Sequence, residues 1–176
     1  MRKPDRWCLT GLALWSVLIT LGCEGGINKF EREVETEAAA VKLSRERLAG
    51  AYDLITAAEL KKKIDAGDEM LIVDTMPLEE SYKNAHVPGA VSFLFDKEVM
   101  ESWDEAKTGG KSQEDYRALL GEDLDRPIVV YCGFVKCARS HNGAAFAREI
   151  GYTNVKRFPG GIYAWKGEGF PTESAE

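Results

Sequence analysis

The sequence predicts an α/β domain with a mostly parallel sheet, and three observations carry that prediction. Strand-like and helix-like stretches alternate from about Tyr52 onward, the order expected of strand–helix–strand units. Two strand candidates, MLIVDTM (residues 70–76) and PIVVYC (127–132), are continuous apolar runs bounded by polar residues. That is the pattern of strands covered on both faces. Start and turn signals fall between them: Thr56 with Glu59 three residues on has capping-box spacing, and Pro88-Gly89 marks a turn.

The elements follow in order. Ile27 to Leu48 is dense in Glu, Lys, Arg and Ala, with apolar residues at Ile27, Phe30, Val34, Val41 and Leu48. It reads as a mostly solvated helix or spacer, ended by Gly50. A short extended piece after Tyr52 leads to the Thr56 cap and a helix closing at Gly67. After MLIVDTM comes a helical piece at about Leu78 to Asn84, then HVPGAVSFLF, whose Pro-Gly turn feeds the next strand. Residues 96–127 read as surface helices around Gly109-Gly110, SQEDYRALLGE being the better one. PIVVYC is a buried strand, SHNGAAFAREIG a helix, NVKRF a last short strand, and PGGIYAWKGEGFP closes the domain.

At 176 residues and 44% hydrophobic content, the chain has room for one domain of ordinary size. Its opening has Arg2, Lys3 and Arg6, then an apolar run from Trp7 to Gly22, the layout of a secretory signal. The run is shorter than the roughly 20 apolar residues of a spanning helix. The stretch ITLGC, ending at Cys23, resembles the lipobox of bacterial lipoproteins. That resemblance implies a signal peptide over 1–22, cleavage before Cys23, lipidation of Cys23, a spacer over 23–51 and a domain over 52–176. The expected location is outside the cytoplasm, on a membrane facing the periplasm or cell exterior, held by buried acyl methylenes. Losing Arg2, Lys3, Arg6 and Asp5 takes the formal net charge from −6 to −8. This balance opposes nucleic-acid binding and close contact with anionic lipid heads.

Of the four cysteines, Cys8 leaves with the signal and Cys23 carries lipid, so Cys132 and Cys137 remain as thiols. An oxidising compartment favours a disulfide between them. A purely structural bridge would close so short a loop that it stabilises little. Ligands of an open parallel sheet bind beyond the carboxyl ends of its strands, and Cys132 sits at such an end. Residues 133–138 must then turn into a helix starting near Arg139. Loop amides and that helix N-terminus are expected to converge on the sulfur, with Lys136 and Arg139 adding positive charge. Such surroundings lower a thiol's pKa and make it a nucleophile. A buried inert cysteine is the plain alternative.

The pieces IVDTM, HVPGA, VVYC followed by a loop and RS, and GGIYAWKGEGFP together resemble the rhodanese family, over about Tyr52 to Pro171. The resemblance implies a five-stranded, mostly parallel sheet with helices on both faces. It implies that Cys132 is the catalytic cysteine, taking sulfur from a donor such as thiosulfate as a persulfide and passing it to a thiophilic acceptor. Gly133, Phe134, Val135, Lys136, Cys137, Ala138 and Arg139 then form the substrate-binding loop. Expected partners are a small sulfur-containing anion, a thiol acceptor and the membrane, and no cofactor is implied. The loop has six residues between Cys132 and Arg139, longer than the four of common single-domain rhodaneses and the five of phosphatase or arsenate-reductase relatives. Gly133 replaces an arginine that often follows the cysteine, and Thr75 and Met76 stand where the family often has Val-Arg. These departures leave the substrate anion open.

Cys137 is an extra part, a candidate resolving cysteine whose attack on a sulfur-loaded Cys132 would leave a disulfide for a reductant protein to reopen. The readings that stay open are therefore a sulfurtransferase, a thiol-disulfide or arsenate-type reductase using both thiols, and a non-catalytic binding module. Asp74 is expected to anchor a neighbouring loop, and His86 to pack or hydrogen-bond. His141 is expected as a solvated first-turn histidine, and Tyr163 and Trp165 as core or rim residues. Two histidines are too few for a metal centre.

Overall fold

The computed structural model describes residues 28–175. The expected signal peptide and lipidation site at Cys23 lie outside them. The elements are α1 (Lys29–Gly50), β1 (Asp53–Leu54), α2 (Ala57–Asp65), β2 (Leu71–Asp74), β3 (Val91–Ser92), α3 (Gln113–Leu120), β4 (Ile128–Tyr131), α4 (Arg139–Glu149), β5 (Val155–Phe158) and α5 (Gly161–Gly167). A five-stranded sheet runs in the order β1-β5-β4-β2-β3, and every pairing is parallel. The mostly parallel α/β domain expected from the alternation is the one formed.

Side chains alternate across each strand, which divides the core. Leu71, Val73, Ile128, Val130 and Val155 pack under α3 and α4 with Tyr116, Ala144 and Phe146. Ile72, Val129, Tyr131 and Phe158 pack under α2 and α5 with Leu60, Ile162 and Trp165. The expected capping box at Thr56 and Glu59 closes the start of α2, and a second one, Ser112 with Asp115, starts α3. β4 lies at the centre of the sheet, so its carboxyl end is flanked by strands on both sides.

Three regions depart from the sequence reading. The helical piece at Leu78 is a single π-helical turn, Leu78–Tyr82. Residues 96–127 are not all surface. Trp103 and Tyr116 join Phe93, Phe95 and Phe146 in an aromatic cluster, and the buried Tyr116 hydroxyl donates to Gly143 O at 3.0 Å. Trp103 comes from irregular loop, so no periodicity announces its packing against the buried Tyr116 of α3. Lastly, α1 has two faces. Phe30, Val34, Val41 and Leu48 point outward as a solvated helix requires, while its inner side packs along α4 and buries Glu46 and Gly50. The packed unit therefore reaches back across the expected boundary at Tyr52.

Candidate active site

Cys132 directly follows β4, and α4 begins at Arg139, so residues 133–138 form a strand-to-helix loop at the carboxyl edge of the sheet. The start of α5 grips this loop from one side: Ile162 N donates to Cys132 O at 2.9 Å and Tyr163 N to Gly133 O at 3.0 Å. The approach is so close that a Cβ on Gly161, whose φ is +56°, would lie 2.0 Å from Cys132 O. Only glycine fits there, which explains the Gly-Gly pair before IYAW.

The Cys132 side chain is fully buried. Its Sγ lies 3.1 Å from Ser140 Oγ, 3.6 Å from Cys137 O and 3.9 Å from Phe134 O. Of the expected amide donors, the Ser140 N–H in the first turn of α4 supports this sulfur, while two amides of the loop turn elsewhere. Cys137 N donates to Phe134 O at 3.1 Å and Ala138 N to Lys97 O at 3.3 Å. Lys136 also turns away, pairing with Glu35 of α1 at 3.5 Å.

The charge accordingly settles on the other thiol. Both cysteines are unbridged. Cys132 is pushed well above the ordinary thiol range, first because its proton is shared with Cys137 and then by burial, with Ser140 opposing. Cys137 is drawn down to about 5, chiefly by that same hydrogen bond from Cys132 and, against burial, by Arg139. The Arg139 guanidinium reaches Cys137 Sγ at 3.7 Å. The sequence reading placed the lowered pKa on Cys132; the geometry puts it on Cys137, because Arg139 stands beside that sulfur and not beside Cys132.

Behind the loop sits a buried arginine that sequence reasoning missed. Arg157 of β5 is fully buried, and all five of its N–H groups have an acceptor. Nε donates to Ser140 Oγ at 2.9 Å, Nη1 to Glu46 Oε2 at 2.6 Å and the Tyr52 hydroxyl at 3.2 Å, and Nη2 to Val135 O at 3.4 Å and Cys137 O at 3.0 Å. Burial alone would raise the Glu46 carboxyl, but Lys42 and Arg157 hold it below its ordinary value. One signal for Arg157 was present in NVKRF. Val155 and Arg157 share a strand face, so a buried valine there implies a buried arginine in need of a carboxylate. Nothing in the solvated-looking helix singled out Glu46.

His141 is corrected by the same cluster. It is buried, not solvated, with Nδ1 3.0 Å from the Tyr52 hydroxyl. Burial pushes its pKa down to about 4, so it is neutral at pH 7.

The remaining expected residues fall as follows. Gly133, Cys137 and Ala138 are buried, Phe134 and Lys136 are exposed, and Val135 and Arg139 are partly covered. Phe134 stacks on Tyr163 with ring centroids 5.5 Å apart, which puts Tyr163 on the rim, while Trp165 is fully buried core. Arg139 Nε is buried with no hydrogen-bond partner among the described residues. Asp74 accepts from Met76 N at 2.9 Å and so fixes the corner after β2, but its Oδ2 has no hydrogen-bond partner among the described residues, and burial raises its pKa to about 6. His86 stacks on Tyr82 at 4.0 Å, and its Nδ1 donates to Tyr82 O at 2.9 Å.

A parallel α/β domain with a buried cysteine heading a strand-to-helix loop defines a class of thiol-bearing loop proteins, and comparison gives the family within it. The chain belongs to the rhodanese-like domain family, whose profile matches residues 56–168. It is 27% identical over 161 residues to Rhodanese-like domain-containing protein 14, chloroplastic, of Arabidopsis thaliana, covering 77% of this chain and 70% of that one. It is 31% identical over 134 residues to a Mycobacterium tuberculosis protein provisionally named thiosulfate sulfurtransferase SseB, covering 70% of this chain and 47% of that one. The chain thus spans about half the length of the latter. Among solved structures, a thiosulfate sulfurtransferase from Pseudomonas aeruginosa superposes with a TM-score of 0.58 at 19% identity, covering 78% of this chain and 23% of that one. The polysulfide-sulfur transferase homodimer from Wolinella succinogenes superposes at 0.54 and 18% identity, covering 78% and 90%. At such identities these two speak for the fold alone.

Proposed function

We propose that this domain is a sulfurtransferase working through a persulfide on Cys132. The observation that carries the reading is the place of Cys132: it ends the central strand at the edge where parallel sheets bind ligands, with the Ser140 hydroxyl 3.1 Å from its sulfur. The reaction starts from the minor form of the coupled pair, in which Cys137 holds the proton and Cys132 is the thiolate. The Cys132 thiolate then attacks the outer sulfur of thiosulfate, the sulfur–sulfur bond breaks, and sulfite leaves with the bonding pair. A thiol or other thiophilic acceptor attacks the outer sulfur of the persulfide and returns Cys132 as thiolate. Because Cys132 is covered in this conformation, residues 133–138 must move to admit the donor.

The test is the intact mass of the reduced protein after thiosulfate treatment and removal of excess reagent. A gain of one sulfur atom that cyanide removes and Cys132→Ser abolishes supports the reading. An unchanged mass with thiosulfate and with polysulfide counts against it and favours a binding module.

A second reading has its own support: two unbridged thiols that share a proton suit a reversible disulfide. In that case the treated protein loses two hydrogens instead of gaining sulfur, a reductant protein is a partner, and turnover stops without reductant in a way that Cys137→Ser removes. Attachment to a membrane through a lipid on Cys23 is proposed as well, resting on the sequence pattern; Cys23→Ser would shift the protein from the detergent phase to the aqueous one.

A further inference from the structure

Which way the Ser140 proton points is decided by its neighbours. The Ser140 oxygen accepts from Arg157 Nε at 2.9 Å, and its other polar neighbour is Cys132 Sγ at 3.1 Å. A guanidinium has only donors, so this contact uses the serine as acceptor and leaves its own proton to the sulfur. Arg157 cannot turn to any other role, since each of its N–H groups is engaged. It also cannot lose its proton, being paired with Glu46 in a site where both side chains are nearly inaccessible.

We infer that the buried Glu46–Arg157 pair is a positioning device that holds the Ser140 hydroxyl as a fixed hydrogen-bond donor to Cys132 Sγ. The inference rests on Cys132 being the reacting sulfur. A hydroxyl donor favours the anionic states of that atom, the attacking thiolate and the persulfide, over the neutral thiol, whose sulfur is only a weak acceptor. The same guanidinium holds Val135 O and Cys137 O, so the donor and the loop backbone are set by one group. Glu46, and Tyr52 beside it, precede the residues 56–168 that match the family profile. On this inference α1 is a working part of the active site, although it lies outside the matched segment.

The experiment titrates the Cys132 thiolate by its ultraviolet absorbance in the full chain carrying Cys137→Ser, with the Cys132→Ser, Cys137→Ser protein as blank. Adding Ser140→Ala should raise the Cys132 midpoint by about one pH unit, roughly tenfold less thiolate at a given lower pH. Arg157→Met alone leaves a buried carboxylate, so the second background is Glu46→Met with Arg157→Met, an apolar replacement of the kind buried ion pairs tolerate. There Ser140→Ala should shift the midpoint by clearly less, because the serine is no longer held. An unmoved midpoint on Ser140→Ala, or equal shifts in both backgrounds, would overturn the inference. No sulfur donor enters the titration, so a failure of sulfur transfer in the mass measurement is read separately from a failure here.

Discussion

The loop after β4 has a back and a front that differ in how their polar groups are used. At the back, Arg157 is fully buried with every N–H accepted, and Ser140, Glu46 and Tyr52 are buried around it. At the front, Phe134 is 43% exposed, Lys136 is exposed, and Arg139 Nε has no partner among the described residues. A buried charge is tolerated only when it is paired and hydrogen-bonded, so the back has one stable arrangement. The front carries no such buried ion pair: among the described residues the Arg139 guanidinium reaches Cys137 Sγ at 3.7 Å. The shape of this loop is thus imposed from behind by β5 and α1, while its outward side is held by fewer buried contacts.

Arg157→Met alone tests the back most severely. It leaves Glu46 buried without its partner and should cost about 3–5 kcal/mol in chemical denaturation. A cost under about 1 kcal/mol would mean that the back does not hold the fold. Gly161→Ala, which brings a Cβ against Cys132 O at an unfavourable φ, should cost about 3 kcal/mol and lower the melting temperature accordingly.

Asp74 sharpens the comparison, because it is buried like the back but only half paired like the front. Its folded pKa of about 6 lies above the ordinary carboxylate value. The folded state therefore holds a proton that the unfolded chain has already released, and this group's contribution to stability falls as pH rises from about 4 to about 6. Asp74→Asn should then stabilise the protein by about 2 kcal/mol at pH 8 and by much less at pH 4. Equal gains at both pH values would show that the carboxyl is not held neutral.

At the front the expected changes are chemical, not structural. Cys137→Ser removes the neighbouring thiolate that keeps Cys132 protonated, so the Cys132 midpoint should fall toward the ordinary thiol range while denaturation stays within about 0.5 kcal/mol. Phe134→Ala removes an exposed ring stacked on Tyr163 and should change stability least, again by no more than about 0.5 kcal/mol. A large loss of stability from either would erase the distinction between the two sides.

Local rules carried far along this chain. MLIVD and PIVVY became β2 and β4 because continuous apolar runs bounded by polar residues have few other uses, and Thr56 with Glu59 capped α2 through contacts only three residues apart. Cys132 was readable as the residue at a strand end. The two-residue β3 fell short of the expected strand because it lies at the sheet edge, beyond which Phe93 and Phe95 turn into the core. His141 misled because a polar residue in the first turn of a helix is ordinarily solvated, and what covers it here is Tyr52, far back in the chain.

By itself, then, the sequence determined the alternation of strands and helices, the parallel sheet, and the position of Cys132 at its carboxyl edge, since each follows from side-chain pattern over a few residues. Tertiary structure alone decided which thiol bears the charge and which groups stand behind it. Those outcomes depend on short distances between groups such as Glu46 and Arg157, 2.6 Å apart in space and 111 residues apart in the chain, and on how completely water is excluded around them. Electrostatic interactions change steeply with both quantities, and neither is written in the local order of residues.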